Sequence, residues 1–375
     1  MRAARGAMWG SFGLIAWAYA GYPVAAALAG RLHRYTAQTD ESYAPDVTLV
    51  VAAHNEEAAI AETLERALDL DYPGRLDIVV ASDGSTDSTD ETVNRFANRG
   101  VRLLELPRGG KVEAQNAAVA EASSEIVAFA DANARWEPDA LRLLAENLAD
   151  SDVGYVCGRL VLDSANGSEN LEGMYWRFEL WLRGAESAAG SITAGNGAIY
   201  AVRRSAYLPL KAAQSHDLGL PFRLRRRGLR SVYEPRALAV EEALPRTEDE
   251  WPRKVRMLSR AWAEVVSGEV LDPRGQPPGY YAALLSHRVL RYAAGPLHLA
   301  LAVASLRLVH RDRGARLLLG LQLGGLALAV RRRGSSTSRL AGAAWYYVVV
   351  NAASVAGLAR ALSGGGDTTW APERR

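Results

Sequence analysis

Apolar residues are distributed along this chain in two ways. Between about Ala44 and Leu271 they form short runs that alternate with stretches of helical spacing, and outside that region they form long uninterrupted segments. In the middle region Val47–Ala53 is followed by a helical pattern over 56–70, and Leu76–Ser82 by one over 87–100. Val101–Leu106 leads into Lys111–Ala122, and the run 125–130 into 137–149. Short β-rich runs alternating with helices predict an α/β fold with a mainly parallel sheet and helices on both faces. The strands lack clean apolar–polar alternation, as expected when both faces are covered. Asp87 and the pair Glu137-Pro138 supply helix-start signals.

After Val153–Leu162 the pattern changes. Met174–Ser187 places Tyr175, Trp176, Phe178, Trp181 and Leu182 near helical spacing. This reads either as an amphipathic helix packed on the sheet or as one lying at a membrane surface. Gly195–Arg204, the helix-like Ser215–Gly228, a strand over Arg230–Glu242 and a basic helix over 248–266 complete the region.

The long apolar segments are Ala7–Gly30, Ala293–Leu306, Leu317–Val330 and Leu340–Ala359. A membrane span needs about 20 residues, which the first and last supply and the middle two reach only with their flanks. Buried helices are the other reading of those two. Ala7–Gly30 exceeds the usual signal-peptide core of about 7–15 residues, which favours a retained anchor. The expected organisation is an N-terminal anchor and linker over 1–43, a catalytic-type domain over 44–271 and an interfacial amphipathic segment over 272–292. About three transmembrane helices over 293–362 and a polar tail over 363–375 follow. Arg31, Arg34 and Arg331 to Arg333 favour a cytoplasmic middle, whereas Arg2, Arg5, Arg311, Arg313 and Arg316 oppose it. The charge rule therefore leaves the orientation open.

The 375 residues carry a formal charge of only +2. No nucleic-acid partner is expected, and Arg223 with Arg225 to Arg227 reads as a solvated or lipid-headgroup face. The single Cys157 rules out a disulfide framework and any cysteine-based zinc site.

Polar and acidic residues recur at the ends of the expected strands. His54-Asn55-Glu56-Glu57 ends the first, Asp83 the second, and Asp131 with Asn133 the fourth; Asp217 opens a later helix. Ligands of open α/β sheets sit beyond the carboxyl ends of the strands. Lys111 and Asn116 follow a glycine pair at a helix start, where free amides and a cation suit phosphate. Carboxylates converging on one edge repel each other unless a cation neutralises them, which points to a divalent metal holding a diphosphate.

These motifs, in this order, resemble the family 2 inverting glycosyltransferases of the GT-A fold, in their membrane-embedded cellulose and hyaluronan synthase-like branch. The likeness covers about 46–268. Asn55-Glu56 matches the family's Asn-Glu motif, and Asp83 its nucleotide-binding Asp. Gly110-Lys111 through Asn116 matches its Gly-Lys element, Asp131-Ala132-Asn133 its Asp-x-Asp motif, and His216-Asp217 its acidic base motif. The resemblance implies that Ala53, Asn55, Glu57, Asp83, Lys111 and Asp131 bind a nucleotide sugar, expected to be a UDP-sugar. It assigns Mg2+ or Mn2+ to Asp131 and Asn133, proton removal to Asp217, and acceptor contacts to Gly195, Asn196 and Arg256. The implied acceptor is a lipid-linked sugar or cell-surface glycan at the inner membrane, for exopolysaccharide or envelope synthesis. Asn133 is a weaker hard-cation ligand than a carboxylate. Arg253–Met257 keeps Arg256 but lacks the Gln and Trp of the processive Gln-x-x-Arg-Trp element, which favours adding one or a few sugars. The alternatives are a polyprenyl-phosphate glycosyltransferase and a catalytically silent nucleotide- or glycan-binding component of a secretion complex.

Overall fold

A computed structural model describes residues 1–163, 171–242, 250–331 and 339–363. The polar tail expected over 363–375 lies, beyond its first residue, outside the described residues, as do Arg332 and Arg333. The strands are β1 (Val47–Ala53), β2 (Leu76–Asp83), β3 (Val101–Leu106), β4 (Ile126–Asp131), β5 (Arg135–Trp136), β6 (Val153–Asp163), β7 (Ile199–Arg203) and β8 (Arg230–Glu242). The helices are α1 (Arg2–Ala16), α2 (Tyr22–His33), α3 (Ile60–Leu68), α4 (Thr89–Asn94), α5 (Lys111–Glu121), α6 (Ala140–Asn147) and α7 (Leu171–Ala188). They continue with α8 (His216–Arg226), α9 (Glu250–Val266), α10 (Pro278–Leu284), α11 (Leu290–Leu308), α12 (Arg313–Arg331) and α13 (Arg339–Leu362).

The strands form an eight-stranded sheet in the order β3-β2-β1-β4-β7-β6-β8-β5. The expectation of a parallel sheet holds for β3-β2-β1-β4, with Val50 opposite Val79 and Val51 opposite Ala130. From there the sheet is mixed: β7 runs antiparallel to both β4 and β6, and β8 runs parallel to β6. Every β1 position is buried, because both faces are covered. Leu49 and Val51 pack with Ile60 and Leu64 of α3 and Leu141 and Leu144 of α6. Val50 and Phe129 face the other way, onto Val112 and Ala118 of α5 and Leu220 and Leu224 of α8. Cys157 is fully buried in this second layer, and burial pushes its thiol up to about 11.

Among the described residues, four helical stretches are long and apolar enough to cross a membrane: Arg2–His33, Pro278–Leu308, Arg313–Arg331 and Leu340–Leu362. The first joins α1 to α2 through a π-helical turn at Trp17–Gly21, and the second joins α10 to α11 through another at Leu285–Val289. The second stretch therefore begins within the segment read from the sequence as interfacial. Its 31 residues remove the length problem of the apolar run at 293–306. Side chains such as Val24, Leu28, Leu299, Val303, Leu317 and Leu321 point outward and are exposed. An exposed apolar belt of that extent fits a lipid or protein surround better than water.

The apolar helices also hold one another and the sheet-bearing region. Met8 packs among Leu301, Ala304, Leu308, Ala315 and Leu318. A side chain at Gly295 would lie 2.2 Å from the Asn351 carbonyl, so α11 and α13 touch backbone to backbone. Gly30 of α2 meets the Ala185 carbonyl of α7 in the same way, at 2.7 Å. Trp262 of α9 donates its indole N–H to Ser354 of α13 at 3.1 Å.

Candidate active site

The loops after β1 and β2 are locked together by reciprocal hydrogen bonds. Asn55 adopts a left-handed conformation (φ 54°), tolerated by asparagine more readily than by most residues. Its Oδ1 accepts the Thr86 amide at 2.7 Å, and the Glu57 carboxylate accepts the Ser88 amide at 3.0 Å. In return the Glu56 and Glu57 amides donate to Thr89 Oγ1 (2.8 Å) and Asp87 Oδ2 (3.2 Å). Asn55 and Glu57 thus shape the loop from which a nucleotide would be bound. Ala53, fully buried at the end of β1, can offer only backbone.

Asp83 is 1% exposed. Its carboxylate accepts the amides of Gly109 (2.6 Å) and Gly110 (2.9 Å) and a guanidinium N–H of Arg108 at 2.5 Å. Its carbonyl lies 2.8 Å from His54 Nδ1. Gly84 (φ +60°) lets the Arg108 backbone approach: a Cβ there would lie 3.0 Å from the Arg108 amide nitrogen. The carboxylate therefore fixes the turn that delivers Lys111 to the head of α5. Arg108 was missed in the sequence, although a basic residue directly before Gly109-Gly110-Lys111 was a usable signal.

Lys111 donates its ammonium to the Asp131 carboxylate, so the charge repulsion expected among converging carboxylates is already relieved by this cation. Asn133 is half-buried in the turn closed by the Ala134 amide on the Asp131 carbonyl (3.0 Å). Among the described residues no cluster of three or more His, Cys, Asp or Glu side chains surrounds a common point. The donor set of Asp131 with Asn133 suits a cation that keeps most of its shell for water and substrate phosphates, as Mg2+ does. Asn116 serves a different purpose from the one its motif position suggested. Its amide group clasps the 207–210 segment, donating to the Leu210 carbonyl (2.8 Å) and accepting from the Tyr207 hydroxyl (2.7 Å).

The loop 193–197 closes the arrangement. A Cβ at Gly197 would lie 3.4 Å from Lys111 Nζ, and the Gly195 amide donates to the Asp217 carbonyl at 2.8 Å. The Gly195–Gly197 turn therefore lies between the Lys111–Asp131 pair and Asp217. Gly195 has to be glycine: a Cβ would fall 2.0 Å from the Tyr155 hydroxyl. Asn196 is largely committed to the loop itself. Its Oδ1 accepts the amides of Ala198 (3.1 Å) and Ile199 (2.9 Å), and its Nδ2 donates to the Gly158 carbonyl at 2.7 Å.

Asp217 sits half-buried in the first turn of α8, and its carboxylate accepts the Ser215 hydroxyl. Its neighbour His216 is buried in a stack with Phe129, Tyr200 and Tyr207. The Tyr207 hydroxyl gives its one proton to Asn116, so it receives the N–H of His216 Nε2 at 2.8 Å. Burial first, then the positive charges of Lys111 and Arg223, push His216 down to about 3. The folded state thus holds this imidazole neutral, while the unfolded chain protonates it near pH 6.5. The unfolded state binds the extra proton, so stability is complete above that pH. It falls as the pH drops from about 6.5 toward 3, by at most about 1.4 kcal/mol per pH unit. His216→Phe is expected to flatten this part of the unfolding-free-energy profile between pH 4 and 7 in denaturant titrations. An unchanged slope would assign the acid sensitivity elsewhere.

Arg256 is half-buried on α9 and makes no hydrogen bond or ion pair among the described residues. Its helix reaches the site through Glu264, whose carboxylate meets Arg223 of α8 at 3.2 Å.

Comparison with known proteins bears on this arrangement. Residues 48–208 match the model of the glycosyl transferase family 2 domain. The chain is 29% identical over 227 residues to a probable glycosyltransferase, YdaM, of Bacillus subtilis, covering 56% of this chain and 53% of that protein. It is 32% identical over 200 residues to a beta-monoglucosyldiacylglycerol synthase of Nostoc sp., covering 48% and 41%. It thus spans about half the length of these curated relatives. Among solved structures, a mannosyltransferase from Pyrobaculum calidifontis in complex with GDP-Man and Mn2+ superposes with a TM-score of 0.72 at 25% identity. That match covers 94% of this chain and 97% of the other, so it includes the apolar helices as well as the sheet. With its GT-A-type sheet and the strand-end residues assembled on one edge, the region 48–208 carries the likeness to the glycosyl transferase family 2 domain.

Proposed function

We propose that this protein is an inverting, membrane-embedded glycosyltransferase that moves a sugar from a nucleoside diphosphate donor to a hydroxyl of a lipid-linked acceptor. The observation that carries this reading is the position of the Gly195–Gly197 turn. On one side it touches Lys111, which pairs with Asp131; on the other it is hydrogen-bonded to Asp217. A donor diphosphate on the Lys111–Asp131 side leaves its anomeric carbon facing the Asp217 side.

In this mechanism the Asp83–Arg108 turn and the loops locked by Asn55 and Glu57 hold the nucleotide. Lys111 exchanges its carboxylate partner for the β-phosphate, which frees Asp131. Asp131 and Asn133 would then hold Mg2+ or Mn2+, which supplies charge neutralisation to the departing diphosphate. Asp217 takes the proton from the acceptor hydroxyl as its oxygen bonds to the anomeric carbon. The bond from that carbon to the diphosphate oxygen breaks, and the nucleoside diphosphate leaves with its electron pair. Attack on the face opposite the leaving group inverts the configuration.

The exposed apolar belt on the four helices supports an inner-membrane location. Cytoplasmic supply of nucleotide sugars supports a catalytic region, 44–271, that faces the cytoplasm. The envelope or exopolysaccharide pathway is the expected setting for such an acceptor.

The test is nucleoside diphosphate release by the detergent-purified full chain over a panel of UDP- and GDP-sugars with Mg2+ or Mn2+. Release with one donor, abolished by a chelator, is expected. Silence over the whole panel while the donor still binds would overturn the reading in favour of a binding component.

A further inference from the structure

Buried positive charge lies behind the 193–197 loop, away from the donor side. Arg183, on α7, is 4% exposed. It makes one hydrogen bond, from Nη2 to the Gly195 carbonyl at 3.0 Å, and its Nε and Nη1 are buried without a partner. The rings of Trp176 and Tyr233 lie 5.8 and 5.6 Å from its guanidinium carbon, so aromatic faces surround it where carboxylates would be expected. Arg288, at the π-helical turn of the stretch Pro278–Leu308, approaches the same loop. It donates from Nε to Thr193 Oγ1 at 3.0 Å, and its Nη2 is also buried and unpartnered.

The acidic groups nearby already carry other partners, and none of them reaches Arg183. Glu186 accepts from Tyr22 (2.5 Å), from the Thr193 amide (3.0 Å) and from His287 Nδ1 (2.7 Å). Glu179 is paired with Arg291, faces His287 Nε2 at 3.2 Å, and stands 3.9 Å from Arg288. Burial is more than offset in Glu186 by His287 and Arg288, which hold its carboxyl down at about 2, so it stays an anion already matched. Arg288 and Arg291 share Glu179, and Arg183 pairs with neither carboxylate. A buried guanidinium with open N–H groups is costly unless an anion completes it.

We propose that Arg183 and Arg288 form a phosphate-binding site for the acceptor, and that the acceptor is a lipid bearing a phosphate or diphosphate. The inference rests on the membrane-acceptor reading given above. Two observations favour a lipid phosphate over the donor's own. Lys111, beside Gly197, is the cation the reading above gives to the donor diphosphate, and Arg288 comes from an apolar helix long enough to cross a bilayer. The planar guanidinium fork matches phosphate oxygens. Gly195 carries Arg183 on its carbonyl and bonds the Asp217 backbone carbonyl through its amide, so one residue links the two groups.

The test uses the full chain in phosphatidylcholine nanodiscs, with farnesyl phosphate, farnesol and inorganic phosphate as probes and tryptophan fluorescence as readout. Farnesyl phosphate is expected to bind and farnesol not. Arg183→Gln is expected to weaken farnesyl phosphate at least about tenfold, the scale of a lost charge-assisted pair, and Arg183→Lys less. Binding of Mn2+ with UDP or GDP should stay unchanged in both variants, which also shows that they fold; Arg288→Gln takes their place if they do not. Unchanged farnesyl phosphate binding in the variants overturns the proposal. Equal weakening of the nucleotide overturns it in favour of a donor-phosphate site, and displacement by equimolar inorganic phosphate in favour of a free-phosphate site. Slow hydrolysis of the donor by water needs no acceptor, so it continues if only this proposal fails and disappears if the transferase reading fails.

Discussion

Asp217→Asn is expected to lower sugar transfer by about 10²–10⁴-fold, the usual contribution of a positioned general base, with donor affinity intact. The substitution is nearly isosteric, and the amide oxygen can still accept the Ser215 hydroxyl. The Gly195 amide is bound to the Asp217 backbone carbonyl, which the substitution leaves in place. What disappears is the capacity to take a proton. The decisive comparison is kcat against the donor's binding constant, with purified variant and wild type side by side. Transfer at the wild-type rate would remove Asp217 from the mechanism. A parallel loss of donor binding would make it a structural residue of α8.

Asp83→Asn is expected to act on the other half of the reaction. The carboxylate is buried and holds three N–H donors, one of them charged. An amide can keep one oxygen for Gly109 and Gly110, but it then presents its own N–H₂ to Arg108. Donor meets donor in a dry place, and the mismatch costs about 1–3 kcal/mol, more where the group is charged. If that strain is relieved by moving the 108–110 turn, Lys111 moves with it. The donor KM is then expected to rise by about ten- to a hundredfold, since about 1.4 kcal/mol is a factor of ten. The kcat at saturating donor should change far less, and thermal unfolding should shift downward. A variant with wild-type KM and stability would show that the turn does not depend on this carboxylate.

Much of the fold was legible because apolar runs and helix starts are local signals. The run 47–53 became β1 and 101–106 became β3 with the expected boundaries, and Lys111 opens α5. The order of strands was less legible. β7 inserts antiparallel between β4 and β6, a pairing across about 70 residues of sequence that no local pattern encodes. The length of the helix from Pro278 was hidden by Ser286, His287, Arg288 and Arg291, which read as an interface in sequence. In the structure most of these side chains turn inward toward α7 and the 193–197 loop.

The positions of the candidate residues were more legible than the contacts they make. Asp83, Lys111, Asp131 and Asp217 do gather along a continuous path of contacts. Asn55, Glu57, Asn116 and Asn196 turn out to hold loops in place, because a carboxamide or carboxylate beside free amides satisfies them first. Lys111 on Asp131 could not be read from spacing, since one residue begins a helix and the other ends a strand. Arg183 was one charge among several on an amphipathic helix until its burial set it apart.

Arg288 fastens the 193–197 loop to a helix whose length matches a bilayer. Lipid chain length then becomes a variable of the chemistry. A hydrophobic stretch that does not fit its bilayer tilts or shifts, and here such a shift would pull on Thr193, two residues from the glycine that holds Asp217. The region 44–271 cut free of its apolar helices would keep the Asp83–Lys111 edge and lose the anchorage of the 193–197 loop. On the proposed function, turnover measured in short- and long-chain lipids is expected to differ even with the same donor, acceptor and metal.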